Sequence, residues 1–531
     1  MENYFYHSII KKFINPFTSF FSTIPFIFCI LFPFGSRSFI AQDEGYYALQ
    51  ARWILEHSNW LAPMWWDTVV FDRTIAVQWL IATSYSIFGP SVFSAHIPSI
   101  ICAVISLILT GSITKILLGK SHYWISTLIL CTTYIWVDYA HMSTQDMPLL
   151  SLELLGIWSL LKSNNKSSRY FFIVGLSIGI SFFLKSVMVL IPLFSILPYV
   201  FLYRRNIFYS LAFWSSIFIS LLPFIFWILL SINKYSFTEV SLLWNKIYYL
   251  SSNTEFTKSS LYYFWNIPLT TFPWSIFSLI GVSTFLRNFK SESAFILFIY
   301  PIIFILLLTC FRTKTPYYPL QITPFIAINA YLGLFKIIEG SKPIKTYFKR
   351  LISLTGIFII IYSNILLINK IYFGFTGFGP FNFLTLYLIL TLFGFCLSLT
   401  FFTLNNNQFI ICLLLAPLIS FSIASQSNLF TDRDPLLRNA LENENLITLS
   451  NNNQVDFLIE DYQLENKTFS KLIKLALNQR KLGSRLPNLE SIKKDHYAWI
   501  PISLKPKLDL YGLRKVSLSS EFDPWMLVHL E

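Results

Sequence analysis

Long apolar runs are the feature that most constrains how this chain can fold. A helix needs about 20 consecutive apolar residues to cross the hydrocarbon layer of a bilayer, and the sequence offers about thirteen runs near that length. The runs fall at 18–35, 92–118, 122–138, 147–163, 170–184, 187–203, 206–232, 268–286, 293–311, 317–337, 350–369, 382–403 and 407–425. The sequence therefore predicts an all-α polytopic membrane protein with about thirteen transmembrane helices.

A shortage of charge supports this prediction. Charged residues make up 13% of the 531 residues and hydrophobic residues 54%, and the mean hydropathy is +0.57. Soluble domains carry about 25% charged residues, so this composition excludes a soluble enzyme, a disordered chain and a coiled coil. All 6 cysteines lie within apolar runs, so neither a disulfide framework nor a metal-binding cysteine cluster is indicated.

The excess of basic residues indicates an orientation in the membrane. The net charge is +13, and alternate loops between the apolar runs hold most of the excess. These basic residues are Lys11, Lys12, Lys120, Lys162, Lys166, Arg169, Arg204, Arg205, Arg287, Lys290, Lys336, Lys342, Lys345, Lys349 and Arg350. The positive-inside rule places them in the cytoplasm, and the other loops and the C-terminal tail outside.

Composition changes near residue 427. The tail 427–531 contains 14 basic and 14 acidic residues, a helical pattern around 466–482, and short apolar runs that begin at Phe457, Trp499 and Leu527. We therefore predict a transmembrane domain at 1–426 and a small α/β extracytoplasmic domain at 427–531. Within the first outer loop, 36–91, the stretch 74–88 is expected to be an interfacial helix.

The first outer loop contains two adjacent carboxylates, Asp43 and Glu44, beside the predicted membrane exit. Two such groups repel one another, and cations, a metal ion or a proton are needed to offset the repulsion. Asp43 is a candidate general base for an acceptor hydroxyl or amine. The alternative is a solvated helix start, in which both residues favour the positive end of the helix dipole.

A third carboxylate and several cations fall on the same predicted face. Asp146 precedes Pro148 at the start of an apolar run, which N-capping alone would explain. Lys185 interrupts an apolar stretch, where it is either functional or a snorkelling residue at a helix end. Arg73, Arg312 and Lys314 are further cations in predicted outer loops, and they suit either the phosphate of a lipid carrier or anionic headgroups.

An ordered set of short motifs resembles the polyprenyl-phosphate-dependent GT-C glycosyltransferases. The nearest branch is the aminoarabinose-transferase-like and protein-mannosyltransferase-like family, and the likeness covers about residues 20–335. The motifs are Asp-Glu-Gly-Tyr-Tyr-Ala at 43–48, Ala-Arg-Trp-Ile-Leu at 51–55, Asp-Arg at 72–73, Ile-Phe-Gly at 87–89, Ile-Pro-Ser at 97–99, Asp-Met-Pro-Leu at 146–149, Leu-Lys at 184–185, Phe-Pro-Trp-Ser at 272–275, and Lys314 with Tyr317. No single motif is specific, but the order of the set is.

The resemblance implies roles for particular residues. Asp43, Glu44 and Asp146 map onto the family's catalytic acidic positions, with Asp43 as the base and Asp146 as a helper in acceptor activation or site geometry. Donor phosphate binding maps onto four residues, Arg73, Lys185, Lys314 and Tyr317, and Asp72 accompanies Arg73. The implied reaction is an inverting transfer of a sugar from a polyprenyl-phosphate donor to a lipid, glycan or protein acceptor.

Two other functions stay open. A transporter or flippase of lipid-linked sugars would use the same cations without a base, and a non-catalytic envelope-assembly protein would tolerate loss of Asp43. The sequence contains no P-loop, dinucleotide fingerprint, HExxH or GxSxG motif, which argues against a nucleotide-driven or soluble-cofactor enzyme. We expect membrane lipids and no nucleic acid as partners, no certain cofactor, and a divalent metal ion as an open alternative. High Asn, Lys and Ile usage indicates the plasma membrane of a bacterium, with the candidate site facing the periplasm.

Overall fold

A computed structural model gives the fold of the chain. It describes residues 16–119, 123–163, 168–252, 258–287, 289, 291–373, 383–443, 446, 455–460, 466–518 and 520–530. Lys11, Lys12, Lys120, Lys166 and Lys290, on which the predicted orientation partly rests, lie outside the described residues.

Helices form most of the described chain up to residue 426. Those of the first half are α1 (Pro16–Leu31), α2 (Tyr46–Glu56), α3 (Ala76–Phe88), α4 (Val92–Leu118), α5 (Trp124–Cys131), α6 (Tyr134–Ala140), α7 (Asp146–Lys162), α8 (Ser168–Lys185), α9 (Leu190–Tyr203) and α10 (Leu211–Tyr235). Those of the second half are α11 (Phe237–Ser252), α12 (Tyr262–Thr270), α13 (Trp274–Val282), α14 (Glu292–Cys310), α15 (Thr323–Glu339), α16 (Lys342–Phe373), α17 (Phe383–Ser398) and α18 (Asn406–Gln426).

The predicted class of a polytopic helical membrane protein is confirmed, but the count of thirteen spans is not. Among the described residues, eight helices are long and apolar enough to cross a membrane. They are Val92–Leu118, Ser168–Tyr203, Leu211–Tyr235, Glu292–Cys310, Tyr318–Glu339, Lys342–Ile371, Phe383–Phe402 and Asn406–Gln426. The numbers differ because some apolar runs break into short helices, as 122–138 does into α5 and α6, and because α8 continues into α9 through a single 3-10 turn, Ser186–Val189.

Small residues allow the long helices to pack closely. A Cβ atom added to Gly281 of α13 would lie 1.9 Å from the carbonyl oxygen of Asn329, and one added to Gly333 of α15 would lie 1.9 Å from that of Phe277. Such close backbone approach is typical of helix pairs in membranes, where van der Waals packing rather than water exclusion holds helices together.

The tail contains a five-stranded sheet. Its strands are β3 (Val455–Leu458), β4 (Arg485–Leu486), β5 (Tyr497–Pro501), β6 (Leu513–Lys515) and β7 (Trp525–Leu530), and β1 (Met64–Trp65) with β2 (Thr68–Val69) forms a separate hairpin in the first loop. The sheet has the order β4-β3-β5-β7-β6, with β3 parallel to both β4 and β5, and β7 antiparallel to β5 and β6. The tail also contains helices α19 (Pro435–Asn443) and α20 (Asn466–Leu477). The predicted helix and all three predicted strands are present.

The tail shares one hydrophobic core with the first loop. Aromatic side chains from both segments are buried together there: Tyr46, Trp53, Trp65 and Trp66 from the loop, and Phe457, Trp499 and Trp525 from the tail. The indole nitrogen of Trp66 donates to the carbonyl of Gly483 at 3.2 Å, and Glu56 accepts a hydrogen bond from the backbone nitrogen of Leu482 at 2.8 Å. The division at 426/427 stays a prediction, and this shared core ties the two predicted domains together.

Candidate functional site

A single turn of π-helix, Ala41–Gly45, carries the two adjacent carboxylates and leads directly into α2. Asp43 is exposed, whereas Glu44 is fully buried. The turn therefore separates two carboxyl groups that are neighbours in the sequence and directs them into different surroundings.

Glu44 is held on one side by a buried chain of hydrogen bonds, which we call the buried relay: Arg37, His96 and Glu44. The Nε2 atom of His96 lies 2.8 Å from Glu44 Oε2, and a guanidinium nitrogen of Arg37 lies 3.4 Å from His96 Nδ1. Arginine can only donate, so Nδ1 must accept and the imidazole donates its Nε2 proton to the carboxylate. The backbone nitrogens of Ile40 and Ser143 donate to Glu44 as well, at 2.9 and 3.1 Å.

These contacts keep Glu44 ionised. Burial would raise the pKa of its carboxyl, but His96, Arg433 and the backbone donor at Ile40 outweigh burial, and the net pKa is lowered. A carboxylate that accepts several hydrogen bonds in a closed setting is well suited to orient its loop and poorly placed to take a proton from a substrate.

Asp43 has the opposite surroundings. Among the described residues, no side chain or backbone group hydrogen-bonds to its carboxylate. The surrounding protein still removes part of its hydration, which raises its pKa; Glu44, Asp146 and Asp138 add to the rise, and Arg73 opposes it. An accessible carboxylate with a raised pKa has the properties that a general base requires.

Around Asp43 the structure collects four other predicted site residues, and we call the five together the loop cluster: Asp43, Asp72, Arg73, Asp146 and Lys185. Arg73 Nε donates to Asp72 at 3.1 Å, and its guanidinium lies over the rings of Tyr46 and Tyr47 at 5.3 and 4.7 Å. Burial raises the pKa of Tyr47 to about 12, with Arg73 opposing the rise and Asp146 adding to it, so this hydroxyl stays protonated as a donor.

The ammonium group of Lys185 forms an ion pair with Asp146. Both side chains are largely buried, at 13% and 8% exposure, and the ammonium also lies 5.3 Å from the ring centre of Tyr317. Asp146 begins α7, and Lys185 ends α8 just where the 3-10 turn starts. Lys185, which interrupts the apolar stretch, therefore forms an ion pair with a carboxylate from the neighbouring helix.

Lys314 lies slightly apart from this group. It is 4% exposed, and its ammonium donates to the backbone carbonyl of Phe311 at 2.8 Å. Among the described residues it has no carboxylate partner, so two of its three donors stay available for an anion. Tyr317, three residues later, connects this loop to the cluster through Lys185 and through Tyr139, whose ring centre is 5.4 Å away.

The sequence alone did not point to four residues that complete these surroundings. Arg37 and His96 belong to the buried relay, and Arg433 of the tail pairs with Asp138 at 2.7 Å. His96 had a detectable signal, because an ionisable side chain within an apolar run is unusual. The pairing of Asp138 with Arg433 spans 295 positions and had none.

Among the described residues, no group of three or more His, Cys, Asp and Glu side chains is arranged to hold a metal ion. The loop cluster offers carboxylates on separate elements, with Asp146 and Asp72 each engaged by a cation. The divalent ion left open by the sequence stays a prediction.

Comparisons with known proteins support the resemblance drawn from the motifs. The family model for dolichyl-phosphate-mannose-protein mannosyltransferases matches residues 72–229. An undecaprenyl phosphate-alpha-4-amino-4-deoxy-L-arabinose arabinosyl transferase 2 of Pseudomonas fluorescens is 25% identical over 187 residues, 34% of each chain. The corresponding transferase of Wigglesworthia glossinidia brevipalpis is 28% identical over 186 residues, 33% of each chain. The matched region thus spans about a third of the length of these curated relatives.

The fold is shared over nearly the whole chain. The crystal structure of ArnT from Cupriavidus metallidurans bound to undecaprenyl phosphate superposes with a TM-score of 0.73 and 12% sequence identity, covering 96% of this chain and 97% of that one. The predicted GT-C type fold, with a helical membrane part and a small strand-containing C-terminal part, is confirmed.

Proposed function

We propose that this protein is an integral membrane glycosyltransferase that moves a sugar from a polyprenyl-phosphate donor to an acceptor in the cell envelope. One observation carries the proposal: an accessible, unpartnered carboxylate among the described residues, Asp43, lies beside the cations of the loop cluster. Sugar transfer from a phosphate needs both parts, because a base activates the acceptor while cations stabilise the leaving phosphate.

The proposed reaction inverts the configuration at the anomeric carbon. Asp43 takes the proton from the acceptor hydroxyl or amine, and the acceptor heteroatom forms a bond to the anomeric carbon from the side opposite the phosphate. The bond between that carbon and the phosphate oxygen breaks, and the polyprenyl phosphate departs with its electron pair. Asp43 is left protonated and returns the proton to water.

Arg73 and Lys314 are the cations best placed for the leaving phosphate. Arg73 can present a planar fork of donors to phosphate oxygens, and its stacking on Tyr46 and Tyr47 fixes the plane of that fork. Lys314 is buried without a carboxylate partner among the described residues. Lys185 is engaged by Asp146, so we propose that this pair sets the geometry of the site and that Glu44 orients the loop that carries Asp43.

The proposed orientation places this site and the tail on the periplasmic face of a bacterial plasma membrane. The distribution of basic loops supports it, through the positive-inside rule. The named activity of the Pseudomonas fluorescens relative makes a 4-amino-4-deoxy-L-arabinose carried on undecaprenyl phosphate the first donor to test.

The test is mass spectrometry of envelope lipids and glycans from four strains: wild type, a deletion, and the deletion carrying either Asp43→Asn or Asp509→Asn. Asp509 is an exposed aspartate of the tail and serves as the matched control. We expect a sugar that is missing from the deletion to return with Asp509→Asn and to stay missing with Asp43→Asn. Full restoration by Asp43→Asn would contradict the base role and favour a transporter or an assembly protein.

A further inference from the structure

A polar cavity, separate from the loop cluster, lies where the tail meets the membrane helices. Its volume is about 500 Å³, and its walls come from the first loop, the start of α4 and the tail helices α19 and α20. The charged lining residues are Arg37, Arg52, Asp434, Arg438, Lys474 and Arg480. None of these belongs to the loop cluster.

The lining of this cavity, which we call the basic pocket, is strongly asymmetric in charge. Five cationic side chains face it, against the single carboxylate of Asp434. Apolar side chains, among them Val92, Leu437 and Leu441, form much of the remaining wall. A mixed wall of this kind suits an amphipathic ligand with an anionic group.

Three of the five cations have carboxylate partners. Arg52 pairs with Glu56 at 2.7 Å and Lys474 pairs with Asp434 at 2.6 Å. Arg438 contacts Asp432 and Glu442 at 3.1 and 2.7 Å. Glu56, Asp432 and Glu442 are not part of the lining, so Arg52 and Arg438 take their carboxylate partners from outside the cavity.

Arg37 and Arg480 have no carboxylate partner among the described residues. Arg37 donates to the carbonyl of Pro33 at 2.7 Å and stacks on Phe93 at 4.8 Å. Burial lowers the pKa of its guanidinium to about 10, and the more distant Glu44 only partly opposes this effect. Arg37 is half-buried and Arg480 is exposed, so both guanidinium groups can present charge to an anion supplied from outside the chain.

Exposed apolar residues that adjoin lining residues in the sequence are called the rim of the basic pocket. Next to the lining residues Pro90 and Leu437, the side chains of Ile87, Phe88 and Leu436 are 67%, 61% and 72% exposed. Val92 begins a helix that is long and apolar enough to cross a membrane, so this rim lies beside the end of a span. Large apolar side chains in that position are suited to contact with acyl chains.

We propose that the basic pocket binds the phosphate of an anionic phospholipid headgroup, with the acyl chains against the rim formed by Ile87, Phe88 and Leu436. Arg37 and Arg480 supply the uncompensated charge, and guanidinium groups match phosphate oxygens in bidentate geometry. The bound lipid fills the junction between the membrane helices and the tail, since α4 forms one wall of the pocket and α19 and α20 another. Lipid binding in the basic pocket does not depend on the sugar donor or on the acceptor.

The test is native mass spectrometry of the full-length protein in detergent, titrated with phosphatidylglycerol or with zwitterionic phosphatidylcholine. The variants are Arg37→Gln, Arg480→Gln and their combination, with Arg205→Gln as the matched control, because Arg205 is an exposed arginine outside the pocket lining. We expect affinity for phosphatidylglycerol to fall about fivefold for each cation removed and to stay unchanged in the control. Phosphatidylcholine is expected to bind weakly to every variant.

A second arm separates a headgroup from free phosphate. Inorganic phosphate at about 100-fold excess over the lipid is expected to leave phosphatidylglycerol bound, because the acyl chains add contacts that phosphate lacks. Displacement at that excess would overturn the lipid part of the proposal. Equal phosphatidylglycerol binding by wild type and Arg480→Gln, an exposed position that folding tolerates, would overturn the site itself.

Discussion

The loop cluster and the buried relay contain adjacent residues, Asp43 and Glu44, whose surroundings differ in almost every physical property. Glu44 is fully buried, accepts three hydrogen bonds from side-chain and backbone donors, and has a lowered pKa. Asp43 is exposed, has no hydrogen-bond partner among the described residues, and has a raised pKa. Glu44 thus stabilises the fold, whereas the carboxylate of Asp43 remains available for chemistry.

This difference shows how a protein can keep two adjacent carboxylates near a membrane. Neighbouring negative charges repel, and the repulsion is smallest when one of them is neutralised within the protein. Glu44 obtains that neutralisation from its hydrogen bonds with His96 and the backbone and from the charge of Arg433, while Asp43 retains its raised pKa and its access to a substrate. In the proposed mechanism, Glu44 holds the loop in place so that Asp43 can react.

The largest expected effect comes from exchanging Asp43 for asparagine. Because an amide cannot accept the acceptor's proton, we expect the transfer rate to fall about 10²–10⁴-fold. The melting temperature should not change, since no described contact is lost. Initial rates of sugar transfer in proteoliposomes would measure the effect, with Asp509→Asn as the control; a loss of stability equal to that of a Glu44 variant would contradict the contrast.

Glu44→Gln, in contrast, is expected to act mainly on the stability of the protein. Removing the charge from the buried carboxylate weakens its hydrogen bonds with His96 and with the backbone nitrogens of Ile40 and Ser143, which is expected to cost about 1.5–3 kcal/mol of unfolding free energy. Thermal unfolding in detergent would measure it, with Glu442→Gln, a half-exposed partner of Arg438, as a control expected to change by less than about 1 kcal/mol.

The same variant has a predictable pH dependence. The pKa of Glu44 is lower in the folded state than its ordinary value of 4.5, so its stabilising effect is complete above pH 4.5 and is lost as pH falls through the lowered value. The stability difference between wild type and Glu44→Gln should therefore shrink in acid. A difference that grows as pH falls would contradict the assignment.

Lys185 and Asp146 allow a test of whether their pairing is structural. Lys185→Met leaves Asp146 buried without its cation, at an expected cost of about 3 kcal/mol. Adding Asp146→Asn should recover part of that stability, because the unpaired charge is removed as well. Denaturation of the two single variants and the double variant completes a double-mutant cycle; strictly additive losses would show that the two groups do not interact.

The smallest expected effect is a shift in the pH profile. A general base acts when deprotonated, so the transfer rate should rise as pH rises through the pKa of Asp43, above the ordinary aspartate value of 3.8. Arg73 lowers that pKa, and Arg73→Gln should therefore move the acid limb to higher pH. Profiles of kcat/KM measure the shift, and movement to lower pH would count against the proximity of Arg73 to the base.

Much of the architecture could be predicted because it depends on local composition. The apolar runs predicted membrane helices, and the tail's helix at 466 and strands at 457, 499 and 527 followed from short periodic patterns. The count of spans could not be predicted as well, since length alone does not show where a run such as 122–138 breaks into two helices.

The candidate site, too, could be predicted from the sequence only in part. Ionisable residue types in predicted outer loops are enough to indicate Asp43, Arg73, Asp146, Lys185 and Lys314. Their roles stay predictions, and the linear pattern does not distinguish Glu44 from Asp43 because it does not show burial. The partners Arg37 and His96 lie 7 and 52 positions from Glu44, and contacts of that kind are set by packing.

Local hydrophobicity and charge are sufficient to place this chain in a membrane, to gather its polar chemistry in loops beside the helix ends, and to mark its tail as a different kind of sequence. They are sufficient because they act on each segment separately. Which carboxylate is closed off, which lysine pairs with Asp146, and whether the tail and the first loop share one core become apparent only in the folded protein. Those outcomes depend on contacts between residues far apart in the chain, and burial and hydrogen bonding there are settled when the helices and the sheet pack together.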